Sequence, residues 1–248
     1  MILKALPALM FLILPSEGQG VRQAKIVKWS PEEASGVIRM VNLTHDAEQF
    51  ITRQVRRRGT LKSFYFTGGY RPAREPPVTS KVNPLIYGAG SSYTAGLKNT
   101  KCKDVFIWNI HYGIVSPLGL RVNVTVQPIG RKKNVTVTLD INGASTLRWS
   151  TRNKNLIRSN VTSAIVEQEC NFSAEVSFKG YVAYHLEDVR GDMPHDDAFN
   201  IVGLKNHTKG LEAYDNMLVY NVTGIFKHKL VCKDDGVTQH GKITPSIQ

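Results

Sequence analysis

Seven asparagines stand in the pattern Asn-x-Ser/Thr: Asn42, Asn123, Asn134, Asn160, Asn171, Asn206 and Asn221. The chemistry that this tripeptide supports is N-glycosylation, in which the side-chain amide nitrogen takes the sugar. That reaction needs a secretory compartment, and the N-terminus carries the address. Lys4 is followed by the apolar run from Ala5 to Leu14 and by small residues around Ser16 and Gly18. Such a run is too short for a stop-transfer helix and has the form of a signal peptide. Residues 1–20 are read as that peptide, with a mature chain starting near Gln19 or Val21. The expected product is a secreted extracellular glycoprotein.

The other reactive groups are sparse. Cys102, Cys170 and Cys232 are the three thiols. In an oxidising compartment they allow one intrachain bridge and leave one sulfur over. Spacing does not choose the pair; Cys170–Cys232 is preferred because both lie in the β-rich part. The three are too far apart for zinc-ligand spacing. The seven histidines are scattered. His195-Asp196-Asp197 could hold a cation, but a polar loop is the plainer reading, since oxygen-ligand loops bring more acids at fixed spacing. Neither G-x-S-x-G nor H-E-x-x-H occurs in the sequence, so no catalytic residue, cofactor or metal site is expected. A triad assembled from distant residues leaves a secreted enzyme as a third class of reading. Arg190-Gly191-Asp192 is the tripeptide of many integrin ligands, and its meaning depends on an exposed loop tip.

Charge supplies the second theme. The 32 Lys and Arg against 20 Asp and Glu give a net charge of +12. Outside the cell this favours anionic glycans or lipid headgroups as partners. Nucleic acid is not an expected partner, because the signal peptide removes the chain from it. Two basic groups stand out for surface binding: Arg56, Arg57 and Arg58, and Arg131, Lys132 and Lys133. The first is either a convertase cleavage site or a helix end, and apolar helical spacing running into it favours the helix end. The second is the tip of a hairpin.

These groups must be positioned by elements of two kinds. Ser30-Pro31-Glu32-Glu33 has the form of a helix start, and Ala34, Val37, Ile38 and Val41 follow at helical spacing. Asp46 with Gln49 predicts a second start, with Ala47, Phe50, Ile51 and Val55 on its apolar face and Gly59 past its end. Residues 68–92 are rich in Gly, Pro and Ser and read as loop. From about Val105 the period becomes two. Val122, Val124 and Val126, then Val135, Val137, Leu139 and Ile141, alternate with polar residues and predict two strands joined through Gln127–Lys133. Phe172–Tyr184 and Met217–Val231 are further strand candidates. The predicted organisation is a head over 21–100 with helices within 31–58, an antiparallel β body over 101–233, and a polar tail over 234–248. The fold class is mainly β with a small helical N-terminal part.

The segment Val105–Leu186 resembles the aerolysin-like proteins, in particular the epsilon-toxin and mosquitocidal-toxin branch. The residues that carry the likeness are Phe106-Ile107-Trp108-Asn109-Ile110-His111-Tyr112-Gly113, the Thr/Val-rich hairpin after them, and Cys170 to Tyr181. It spans about a third of the chain. The resemblance implies an elongated antiparallel sheet protein that binds a cell surface or receptor, forms homo-oligomers and inserts an amphipathic hairpin as a β-barrel. It assigns the hairpin to about Leu120–Val161. Three cations at the tip and sequons at Asn123, Asn134 and Asn160 weigh against passage through lipid. The expected function is therefore surface binding with assembly into or onto membranes. The alternative is an extracellular glycan- or receptor-binding adhesion module that forms no pore.

Overall fold

Residues of even number are buried along two long stretches: Cys170, Phe172, Ala174, Val176 and Phe178, then Leu218, Tyr220, Val222, Phe226 and Leu230. Their odd-numbered neighbours are half-buried or exposed, apart from Val219, which is buried as well. This period of two makes each stretch a strand with one face on a core. A computed structural model describes residues 38–70, 74–93, 101–128, 133–151 and 167–233. The expected signal peptide, the expected helix start at Ser30, Asn160, the expected tip residues Arg131 and Lys132, and the tail from residue 234 lie outside them.

In chain order the elements are β1 (Arg39–Asn42), α1 (Leu43–Val55), β2 (Thr60–Tyr65), β3 (Thr79–Val82), β4 (Ile86–Tyr93), β5 (Lys101–Val115), β6 (Arg121–Val126) and β7 (Val135–Asp140). Then come β8 (Thr146–Ser150), β9 (Glu167–Lys179), β10 (Tyr181–Glu187), β11 (Asp196–Asn200), two 3-10 turns, β12 (Glu212–Tyr214) and β13 (Met217–Lys233). The protein is mainly β. Among the described residues, the largest sheet runs β1-β5-β13-β9-β3, with β8 also on β5, β4 on β9 and β12 on β13. All its pairings are antiparallel except β1 with β5. At 17 residues, β13 is roughly 55 Å long. It lies at the centre, between β5 and β9. Two smaller sheets, β11-β10-β2 and β6-β7, complete the strands.

The aromatic core sits where β5 meets β13. Phe106 and Trp108 of β5 stand against Phe226 and His228 of β13, and the Phe106 and His228 rings stack 4.1 Å apart. One position there admits only glycine. At Gly224 the β5–β13 register shifts, and a Cβ would collide with the Asn109 carbonyl oxygen.

α1 buries Leu43, Ala47, Ile51 and Val55, a stripe at i, i+4 spacing. Full burial of each larger side chain stabilises by about 1.5–3 kcal/mol. Its N-cap differs from the expected Asp46: the Asn42 side-chain oxygen accepts the His45 N–H at 3.0 Å, while Asp46 sits in the first turn. The expected helix through Val41 is corrected as well. Arg39–Asn42 is a strand, with Val41 opposite Ile114 of β5. A short apolar run suits either period, and an open edge of β5 was available to decide it. The loop expected over 68–92 holds two strands, β3 and β4, on β9. They place part of the expected head inside the main sheet, and the described residues fall in one compact unit.

Candidate surface-binding site

The segment between β5 and β9 contains the hairpin that the alternation predicts. Among the described residues β6 and β7 pair only with each other, from Arg121 opposite Asp140 to Val126 opposite Val135. One face carries Val122, Val124, Val126 and Leu139, all buried in the same apolar cluster as Phe172 and Phe178. The other face carries Asn123, Thr125, Thr136 and Thr138, all exposed. The hairpin therefore lies on the body by side-chain contact alone, without a backbone ladder to it.

Its base is clamped by one residue that sequence reasoning missed. Asn142 donates through Nδ2 to the carbonyls of Ser116 at 2.8 Å and Leu118 at 3.1 Å. Its Oδ1 accepts the Ser116 N–H at 2.8 Å. The Leu118 N–H donates to the Ser116 hydroxyl. These bonds satisfy the backbone of the turn that leads from β5 into β6. An Asn after Asp140 reads in sequence as an ordinary turn residue, so nothing there announces the clamp.

The two basic groups fare differently. Arg56 and Arg57 are exposed just past α1. Arg58 is not a free surface cation, which corrects its assignment to surface binding. Its guanidinium donates to Asp197 Oδ2 at 2.9 Å and to the Tyr184 hydroxyl at 3.3 Å, and that hydroxyl donates to the same carboxylate oxygen at 2.9 Å. Burial pulls the Asp197 carboxyl up, but the hydrogen bonds from Arg58, the Ala198 N–H and Tyr184 hold it below the ordinary range. The hydrogen bond to Asp197 raises Arg58 further, against the opposing effect of burial. Lys133 is exposed at the end of the hairpin turn.

A second cationic surface emerges beside α1. An open cleft of about 250 Å³ is lined by Asp46, Gln49, Phe50, Arg53, Gly203, Leu204, Lys205, Asn206 and Lys209. Lys209 pairs with Asp46 at 2.6 Å, and Arg53 donates to Gln49 at 3.1 Å. Lys205 is exposed.

The remaining candidates are placed as follows. Asn42, Asn123, Asn134, Asn171 and Asn221 are exposed, and Asn206 is half-buried. At Asn42, Asn123 and Asn206 the side-chain oxygen is occupied by a hydrogen bond, and the amide nitrogen is the atom that a glycan takes. His195-Asp196-Asp197 is dispersed into separate contacts. His195 meets the Leu186 carbonyl, Asp196 meets His185, and Asp197 meets Arg58. Among the described residues no group of three His, Cys, Asp or Glu could hold a metal. Arg190-Gly191-Asp192 is exposed in the turn between β10 and β11.

The expected Cys170–Cys232 bridge is corrected. Cys170 is a free, buried thiol, raised by desolvation and by Glu169. It faces Phe226 and Gly90 in the ladders, not Cys232.

No protein-family model and no curated protein matches this chain. Solved structures do. The chain is similar to the Cry23Aa1–Cry37Aa1 binary protein complex, with a TM-score of 0.42, 10% identity, and coverage of 77% of this chain and 85% of that one. It is similar to a non-toxic crystal protein from Bacillus thuringiensis, with a TM-score of 0.39, 10% identity, and coverage of 79% and 94%. It is also similar to the parasporin-2 Bacillus thuringiensis toxin that recognizes cancer cells, with a TM-score of 0.32, 13% identity, and coverage of 77% and 91%.

Proposed function

We propose that this chain is a secreted, non-enzymatic glycoprotein that binds anionic cell surfaces and assembles on them, with the β6–β7 hairpin as the part that moves. The observation that carries this reading is the hairpin itself. It has one apolar and one polar face, pairs with no other strand among the described residues, and is held at its base by Asn142. Releasing it costs side-chain contacts and the clamp, but breaks no ladder to the body. The long β5-β13-β9 ladder can stay intact meanwhile.

The glycan sites set where the hairpin goes. Six residues per strand are fewer than the 9–11 or so that a tilted strand needs to cross a bilayer. The 51 residues between Val115 and Glu167 (167 − 115 − 1) supply enough chain for longer strands. A glycan on Asn123 or Asn134 cannot cross hydrocarbon. The glycosylated protein therefore lies on the membrane, and insertion belongs to the unglycosylated form. Arg56, Arg57, Lys133 and the tip cations Arg131 and Lys132 provide the attraction, which salt screens.

The test uses purified protein, with and without enzymatic removal of glycans, on dye-loaded phosphatidylserine vesicles and on cells. Binding that falls with salt is expected for both forms, and leakage for the deglycosylated form only. Absence of binding at low salt would sink the reading. A second reading is favoured by the exposed Arg190-Gly191-Asp192 turn: an adhesion module read by integrins. Cell binding that requires divalent cations and is competed by a short Arg-Gly-Asp peptide would select it.

A further inference from the structure

We infer that Cys102 and Cys232 form a disulfide across the β5–β13 ladder. The two are directly opposite in an antiparallel pairing that runs without a shift from Gly224 opposite Ile110 to Lys233 opposite Lys101. Directly opposite residues in such a ladder have Cα atoms about 4.5 or 5.5 Å apart, inside the 4.4–6.8 Å range that a disulfide bridges.

The neighbouring pairs show that the ladder brings side chains of this parity together. Two positions inward, Asp104 stands opposite Leu230, and two further, Phe106 stands opposite His228. The Phe106 and His228 rings are 4.1 Å apart, and His228 Nε2 lies 3.0 Å from Asp104 Oδ1. The third cysteine is excluded by register. Cys170 faces Phe226, six positions from Cys232 along β13, or roughly 20 Å. The odd count of three therefore divides into one cross-strand pair and one buried thiol.

The reaction is thiol–disulfide exchange with a low-molecular-weight or protein disulfide donor. The thiolate of one cysteine attacks the donor disulfide and expels one donor thiolate. The second cysteine then attacks the mixed disulfide and expels the other. Two protein thiols give up two electrons and two protons, and the donor is reduced to two thiols. In the cell this rests on the secreted reading, which places the chain in an oxidising compartment.

The test refolds the full chain in a glutathione redox buffer, quenches with an alkylating agent under denaturing conditions, and maps peptides by mass. One alkylated cysteine of three is expected, at Cys170, with a crosslinked peptide pair containing Cys102 and Cys232. C170S should keep the crosslink and show no alkylation. C102S should leave both remaining thiols alkylated and lower the unfolding midpoint more than C170S does. Three alkylated cysteines in the refolded, folded protein would overturn the inference, as would any bridge to Cys170 in either background. The same mapping on protein expressed in a eukaryotic secretory cell separates the two readings. A crosslink in the glutathione buffer with retention of reduced protein inside the cell would count against secretion and leave the pairing standing.

Discussion

Three consecutive arginines cannot share a fate on one short turn, and Arg56, Arg57 and Arg58 divide accordingly. The first two face solvent, while Arg58 turns toward β10 and β11 to meet Tyr184 and Asp197. A basic run is legible in sequence as charge. Which member points inward depends on Asp197, 139 residues away, and local reasoning has no access to that. R58A should cost about 1 kcal/mol, a modest figure because both side chains are about a third exposed and water screens them. The carboxyl of Asp197 is depressed in the fold, so its contribution is present above the unfolded value of about 3.9 and lost as pH falls through the folded one. Acid unfolding curves of R58A should therefore be flatter below about pH 4 than those of the parent. The alkaline side has the opposite sign. Burial and the bond to Asp197 push the Tyr184 hydroxyl up to about 12. Its contribution is complete below the unfolded value of about 10 and fades as pH rises toward the folded one. Y184F should flatten stability against pH in that window, leaving Tyr220, also raised to about 12 by burial, as a second contributor.

At the scale of elements, the hairpin and the glycine bulge are the places where one substitution speaks most clearly. N142A removes two donated bonds and the acceptor for the Ser116 N–H, an expected loss of about 2 kcal/mol. Hydrogen exchange should accelerate at Val122 and Val124 while the amides of β13 stay protected, because the clamp touches only the turn at 116–118. G224A should be more damaging, by about 3 kcal/mol or more, since the added methyl meets the Asn109 carbonyl and the β5–β13 ladder must shift. Chemical denaturation of both variants checks these values. The strands β6, β7, β9 and β13 were legible because a half-buried strand must alternate, and theirs do. β3 and β4 were not. They lie outermost on β9, where fewer side chains need burial, so Gly, Ser and Pro are tolerated and the composition resembles a loop. The cap of α1 was misassigned for a related reason. Both Asn42 and Asp46 have cap chemistry, and the choice fell to the strand β1, which sets where the helix begins.

For the whole molecule, the sites at Asn171 and Asn221 lie on the less buried, odd-numbered face of β9 and β13. Sugars there would cover the open side of the central sheet. Treatment with an amide-cleaving glycosidase should increase gel mobility in several steps, and N171Q with N221Q should remove two of them; no change in mobility would refute glycosylation. The order of strands has a consequence in time. β13 is the last described strand in the chain, yet it occupies the middle of the sheet between β5 and β9. While the polypeptide is being synthesised, β5 and β9 have no partner between them until residues 217–233 emerge. Their backbone edges stay open, and most ladder pairs join residues far apart in sequence, so closure is slow. The central β5-β13-β9 ladder can form only after translation of β13, whereas β1 and β8 on β5, and β3 and β4 on β9, need no later residue. A nascent chain stalled after Asn216 should bind chaperones and resist no protease, whereas one released past Lys233 should become protected in a single late step. In a secretory compartment the sequon at Asn171 would meet the glycosylation machinery during that waiting period, while the edge of β9 that β13 later takes is still open.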